Sequence, residues 1–279
     1  MKKILTLALV LTMVLSLFAG CGSAGKEKAI LKVAISPDFA PMEFVDPSKT
    51  GQDQYVGFDV FLAKYIAEEL GMELQIMPMD FQACQTAVAM GTVDMSISGF
   101  SWTAERAENY NLSDYYYAGD NETEQVLITV AANAGKDTTV DSLKGLKVGA
   151  QSASLQEALC KEQLPETSLV VFTDINTGVL QLKKGDFDVM AVATGNADAI
   201  INSNPDLALA GFNFEVTDEE SNNLILLKKG NDELTQKVNE ILAKAYAAGK
   251  YGEWYAAAEE LAGIGVEISY DENGNPITD

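Results

Sequence analysis

Apolar and polar positions follow two rhythms along this chain. An apolar run over residues 4–18 stands behind Lys2 and Lys3, and a small, polar stretch over 22–28 separates it from the apolar β-run Ile30–Ile35. Phe58, Phe61, Leu62, Tyr65, Ile66 and Leu70 recur at helical spacing with Lys64, Glu68 and Glu69 opposite. That pattern predicts a helix with one buried face, stopped at Gly71. A strand over 73–77, a helix over 81–90 and a strand over 93–97 follow. The second half repeats the rhythm: strands over 146–150, 169–172 and 188–192 alternate with helices over 154–160, 175–183 and 197–201. A strand over 224–227 and helices over 232–247 and 251–262 close the chain. Leu234, Val238, Ile241, Leu242 and Ala245 line one face of the first of these. The tail over 270–279 is rich in turn formers and is expected to fray.

Strands alternating with short helices predict an α/β fold with parallel sheets covered on both faces. Two such blocks predict two lobes, each a central sheet flanked by helices. Extended chain over 124–130 and 224–227 offers two crossover strands as a hinge. The expected limits are 29–118 with 223–279 for the first lobe and 119–222 for the second. Ligands of open α/β sheets bind beyond the carboxyl ends of strands, and clefts between domains are favoured sites. Both rules place a site between the lobes.

Composition narrows the chemistry. At 279 residues and 47% hydrophobic positions the chain can fill the cores of two small domains. No second apolar run is long enough to span a bilayer. Its formal charge is −22, which repels nucleic-acid phosphates and anionic lipid headgroups. There is no histidine, so catalysis by Ser-His-Asp or Cys-His and every His-based metal site are excluded. Cys84 and Cys160 lie on helical patterns in different halves and are expected as free, packed thiols. Neither cofactor nor metal is expected.

The leader sets the compartment. Two lysines, a short apolar run and small residues make residues 1–20 a secretory signal peptide. Leu17-Phe18-Ala19-Gly20-Cys21 resembles the lipobox of bacterial lipoproteins, apart from Phe18 in place of the usual leucine. The resemblance implies that Cys21 is lipidated, that 21–28 form a tether, and that membrane contact is through the lipid alone. The protein is then exported and held on the outer face of the cell membrane, or is periplasmic.

Six segments carry a second resemblance. Gly57-Phe58-Asp59-Val60-Phe61-Leu62-Ala63-Lys64 resembles the signature of bacterial extracellular solute-binding proteins that feed polar amino acids to ABC importers. The family usually has a second acid where Phe61 stands. Segments 36–44, 91–94, 98–106, 143–149 and 248–255 match in the same order. The resemblance implies a periplasmic-binding-protein-like (type II) flytrap that closes on its ligand. It also implies a monomer that docks on an ABC permease.

Residue by residue, the family pattern gives Arg106 the ligand's carboxylate, which a guanidinium matches with two parallel donors. Ser101 and Thr103 precede it near a helix start and complement the remaining lone pairs. Phe39 and Phe81 match walls for the ligand side chain. Ser98 and Gly99 match the floor. In the second lobe, Gln151 and Ser154 belong to a loop at a helix N-terminus, where Leu155 lacks the hydroxyl the family often has. Ser36 is a further candidate, although members taking basic amino acids often carry an aspartate there. The aspartate that usually receives the ligand's ammonium aligns with Ala193. Asp38 and Glu43 are the acids nearby that can replace it. The expectation is a neutral or mildly polar amino acid-like solute, with basic amino acids binding poorly. The alternatives are an exported lyase similar to cyclohexadienyl dehydratases, with Asp38 or Glu43 as acid or base, and a ligand-sensing domain.

Overall fold

The computed structural model describes residues 28–116 and 124–263. The signal peptide, Cys21, most of the tether and the 270–279 tail lie outside the described residues. Two five-stranded sheets and one small sheet make the framework.

In the first sheet β1 (Ile30–Ile35) lies between β5 (Glu73–Pro78) and β6 (Met95–Ser101), all parallel. Two antiparallel strands follow, β13 (Asn223–Lys228) and then β7 (Tyr110–Leu112) at the edge. The second sheet repeats the plan. Its strand β9 (Lys147–Gln151) lies between β10 (Ser168–Phe172) and β11 (Val189–Ala193), all parallel. Antiparallel β8 (Gln125–Val130) and β12 (Leu207–Asn213) complete it. The segments expected as crossovers are where the chain joins a new sheet: it enters the second at Gln125 and returns to the first at Asn223. The paths run side by side at both ends, with Tyr116 N–H donating to Asn223 O at 2.9 Å and Phe214 N–H to Gln125 O at 2.8 Å.

Each sheet is apolar on both faces, as parallel strands under helices require. Leu31, Val33 and Ile35 pack on α1 (Phe58–Glu69), and the closing helices α8 (Asp232–Ala247) and α9 (Lys250–Leu261) join that core through Val238, Leu242, Tyr251 and Tyr255. Phe58 centres an aromatic group with Tyr116, Tyr251, Trp254 and Tyr255. Lys64, Glu68 and Glu69 are exposed, as the helical pattern predicts. On the other face, α2 (Phe81–Met90) buries Phe81, Cys84 and Val88 with Phe100 and Leu224. Cores around Leu127, Val148 and Leu159, and around Ile128, Phe187 and Met190, hold the second sheet. Cys84 and Cys160 are buried free thiols. Among the described residues no helix is long and apolar enough to cross a membrane.

The sequence pattern missed β7, β12 and a short helix over 140–143, and marked only the start of another over 104–109; it also missed two features that shape the site. β6 runs four residues beyond its expected end, through Ser98, Gly99, Phe100 and Ser101, because β13 pairs along it. The small sheet, β2 (Asp38–Phe39), β3 (Glu43–Val45) and β4 (Tyr55–Val56), has strands too short to show a period. It is anchored where Gly57 turns into α1. A Cβ there would lie 2.3 Å from Met42 O. With glycine, the carbonyls of Pro41 and Met42 accept the N–H groups of Phe58 and Asp59 at 3.1 and 2.8 Å.

Candidate functional site

A cleft with about 360 Å³ of empty volume opens where the carboxyl ends of β6 and β9 face each other. Of the ten expected ligand contacts, Phe39, Phe81, Ser98, Gly99, Ser101, Arg106, Gln151 and Ser154 line it. Leu155 and Gln156 line it too, and so does Asp38.

The polar end of β6 is its floor. Gly99 has φ +55, and a Cβ there would meet the Phe39 ring at 2.8 Å. Glycine therefore lets Phe39 lie flat on the strand. Phe81, the first residue of α2, stacks on Phe100 with centroids 4.7 Å apart. It is both core and cleft wall.

Arg106 is the only arginine in the chain and is 3% exposed. Its guanidinium lies 5.5 Å from the Phe81 centroid and 5.2 Å from that of Phe100. Its Nη1 donates to Ser101 O at 2.6 Å and its Nη2 to Ala153 O, in the other lobe, at 2.9 Å. All of these partners are neutral. Among the described residues no ion pair includes Arg106. Burial lowers its pKa to about 10. A buried cation without an anion is costly, and the cleft is where an anion can reach it.

Two expected contacts stand back from the cleft. Thr103 caps α3 (Ala104–Asn109), its Oγ1 accepting from Arg106 N at 3.1 Å. It positions Arg106 and is not among the lining residues. Ser36 Oγ donates to Asp38 Oδ1 at 2.8 Å, and Ser36 N–H donates to Ser98 Oγ at 2.9 Å. Ser154 caps α5 (Leu155–Gln163), its Oγ accepting from Glu157 N at 3.1 Å. Ala193, the last residue of β11, is buried outside the lining.

Asp38 is the carboxylate of the cleft. Its Oδ2 accepts from Ile175 N at 2.6 Å and from Gln151 Nε2 at 3.3 Å, both in the second lobe. Ile175 opens α6 (Ile175–Lys184), so the acid sits at the positive end of a helix. Burial nonetheless raises its pKa to about 7. The sequence signal for it is an acid beside Phe39, one of two in the first-lobe loop that can replace the aspartate absent at Ala193. Glu43 lies behind the floor, fully buried, where Ser98 Oγ donates to its Oε1. Beside it, Asp59 Oδ2 accepts from Gly99 N at 2.8 Å and Tyr116 Oη at 3.1 Å. Burial raises both acids, and the charge of Asp59 raises Glu43 further. Glu43 Oε2 and Asp59 Oδ1 have no other donor; one proton shared between the carboxyls satisfies both.

Further bonds close the lobes on each other. Asn196 Nδ2 donates to Ala40 O at 3.1 Å, Gln85 Nε2 to Ala153 O at 3.2 Å, and Ser152 Oγ to Gln82 Oε1 at 3.2 Å. Among the described residues, Ala153 is the non-glycine residue with positive φ, at 59°. That conformation turns its carbonyl to both Arg106 and Gln85.

Residues 31–257 match the family model of bacterial extracellular solute-binding proteins, family 3. The chain is 34% identical over 253 residues to the arginine-binding extracellular protein ArtP of Bacillus subtilis, covering 87% of this chain and 92% of that one. It is 28% identical to the putative ABC transporter arginine-binding protein 2 of Escherichia coli, covering 90% and 96%. Its fold matches the crystal structure of the amino acid ABC transporter substrate-binding protein AbpA of Streptococcus pneumoniae, bound to L-arginine. The TM-score is 0.76 at 34% identity, over 84% of this chain and 96% of that one.

Proposed function

The chain belongs to the bacterial extracellular solute-binding proteins, family 3, and from that premise we propose that its cleft captures an amino acid for an ABC permease. Arg106 carries the reading. It is buried, faces the cleft and has only neutral partners, so a ligand carboxylate supplies its counter-charge. Ser98 and Ser101 on the floor, with Gln151 and Ser154 opposite, add polar contacts from both lobes. Phe39 and Phe81 face the ligand side chain.

Contacts to both lobes exist only when the cleft is shut, so ligand biases the protein toward closure. The paired paths at Tyr116–Asn223 and Gln125–Phe214 act as the hinge. Residues 29–118 with 223–279 move as one lobe and 119–222 as the other, a division supported by cores that draw on those same ranges. The protein works as an exported monomer tethered through lipid on Cys21, delivers its ligand unchanged, and uses neither metal nor cofactor. The names of its relatives put arginine on the list of ligands to try.

A soluble form starting at Ser23, stripped of ligand and melted against the common amino acids and simple organic acids, tests the reading. Ligand at a hundred times its dissociation constant stabilises by about 2.7 kcal/mol. At least one amino acid is expected to raise the melting temperature. A response to no amino acid overturns the proposal.

A further inference from the structure

We propose that Asp38 receives the ligand's ammonium, and that the cleft thereby selects amino acids of zero net charge over cationic ones. This rests on the reading that the cleft binds an amino acid. The two charged side chains among the lining residues are Arg106 and Asp38. Neither takes part in an ion pair among the described residues, and the two do not pair with each other. One buried cation and one buried carboxyl therefore face the same small space and are held apart. A zwitterion has the complementary arrangement.

The surroundings of Asp38 leave room for such a partner. Its Oδ2 takes the N–H groups of Ile175 and Gln151, and its Oδ1 takes the Ser36 hydroxyl. A carboxylate has about four acceptor sites, so Oδ1 keeps one for an ammonium. The three donors present are neutral. They orient the carboxylate without cancelling its charge, and an ionised buried carboxylate needs a cation to offset its lost hydration. Ala193 supplies no acid, and Ser36 supplies a hydroxyl to Asp38 instead of a second carboxylate.

The lining offers a third charge no partner: Asp174, the acid beside Asp38, is outside the lining and accepts from Thr177 N at the start of α6. Phe39, Phe81, Ser98, Ser101, Gln151 and Gln156 offer rings, hydroxyls and amides but no second anion. The Glu43–Asp59 pair is behind Ser98 and Gly99, and its charge is met there by Gly99 N–H and the Tyr116 hydroxyl. Glu157 is turned to Ala153 N and Lys161. A lysine or arginine side chain would thus bury a cation unpaired.

Calorimetry tests this on the soluble protein, using glutamine, alanine, serine, arginine, lysine and the carboxylic acid analogues of the first three that lack the amine. At least one neutral amino acid should bind tenfold or more tighter than arginine and lysine. Its analogue without the amine should bind at least a hundredfold weaker. Asp38→Asn should weaken the neutral amino acid by a similar factor and the analogue by less than threefold. Arginine binding tighter than every neutral amino acid overturns the selectivity. A variant that binds the neutral amino acid within threefold of wild type overturns the role of Asp38. The wild-type comparison of amino acid with analogue stands even if the variant does not fold. Binding of no amino acid at all refutes the broader reading of the cleft, a result distinct from either.

Discussion

Asp38 of the first lobe holds the N–H of Ile175 in the second at 2.6 Å, so one acid belongs at once to the ligand cleft and to the contact that shuts it. Its protonation is therefore linked to both. Burial raises the pKa to about 7 from 3.8. Between those values the closed form holds a proton that an exposed Asp38 releases, so that form loses stability as pH rises from about 4 to about 7. An ammonium on Asp38 favours the ionised acid and expels the proton. Binding at pH 6 to 7 is expected to release up to one proton, and affinity to rise from pH 5 to pH 7.5. Calorimetry in buffers of differing ionisation enthalpy measures the release; proton uptake on binding would contradict it.

Arg106→Ala should weaken ligand binding by roughly 2–5 kcal/mol, because the ligand carboxylate is then buried without its partner. Arg106→Lys should also bind poorly, since a point charge does not reproduce a planar fork of donors. Calorimetry with the ligand found by melting decides. Affinity within threefold of wild type in either variant would show that the carboxylate lies elsewhere.

Glu43→Gln should leave the fold close to wild-type stability at pH 6 and flatten its pH dependence. The amide keeps an acceptor for Ser98 and offers Asp59 a permanent donor in place of the shared proton. In wild type, both acids have raised pKa values, so stability falls as their proton is lost toward alkaline pH. Glu43→Leu lacks both bonds and should cost about 1–3 kcal/mol for each buried group left unpaired. Urea unfolding from pH 5 to pH 8.5 reads both variants; equal pH slopes for wild type and Glu43→Gln would rule out the shared proton.

Ala153→Gly should raise stability by up to about 1 kcal/mol, the left-handed penalty of a side chain less the entropy cost of glycine. Ala153→Val should lower it by about 1–3 kcal/mol. Chemical denaturation measures each. A valine variant as stable as wild type would mean that the loop has another conformation in solution.

Cys21→Ala should abolish fatty-acid labelling in the native host and leave unprocessed precursor. The protein starting at Ser23 should remain soluble and bind ligand. A mature wild-type protein without label would remove the lipid tether.

The long periodic elements were legible because burial alone spaces their residues. The helices Phe81–Met90 and Asp232–Ala247 fall where the apolar pattern sets them, and so do the parallel strands of both sheets, while the edge strands β7 and β12 went unread. The floor was harder to read. Ser98, Gly99 and Ser101 lie beyond the expected strand, yet they are strand because β13 pairs on either side of Ser98 and Gly99, at Ser96 and at Phe100 and Ser101, across more than a hundred residues of sequence. Motif resemblance found eight lining residues, each beside a feature with a local signature. It misplaced the emphasis on Ser36 and Thr103, whose hydroxyls serve Asp38 and the start of α3. Leu155 was marked only for the hydroxyl it lacks, and Gln156 was given no contact, because nothing local distinguishes a helix residue facing a cleft from one facing its own core. Asp38 acquires its role only when a helix from the other lobe arrives beside it.

β13 joins the first sheet between β6 and β7, and α8 and α9 complete the core beneath it. Both come from the end of the chain. The N-terminal lobe therefore cannot finish its sheet until β13 has been made and moved outside the cell, whereas the lobe between is continuous and has all its strands in hand by Asn213. A chain that emerges N-terminus first must keep β1, β5 and β6 waiting with β6 unpaired on one side. An exposed strand edge of that kind recruits other chains, so the yield of this protein should depend on how quickly the segment from Asn223 onward follows the rest. Truncations that end before Asn223 should aggregate, even though they retain the arginine and most of the cleft.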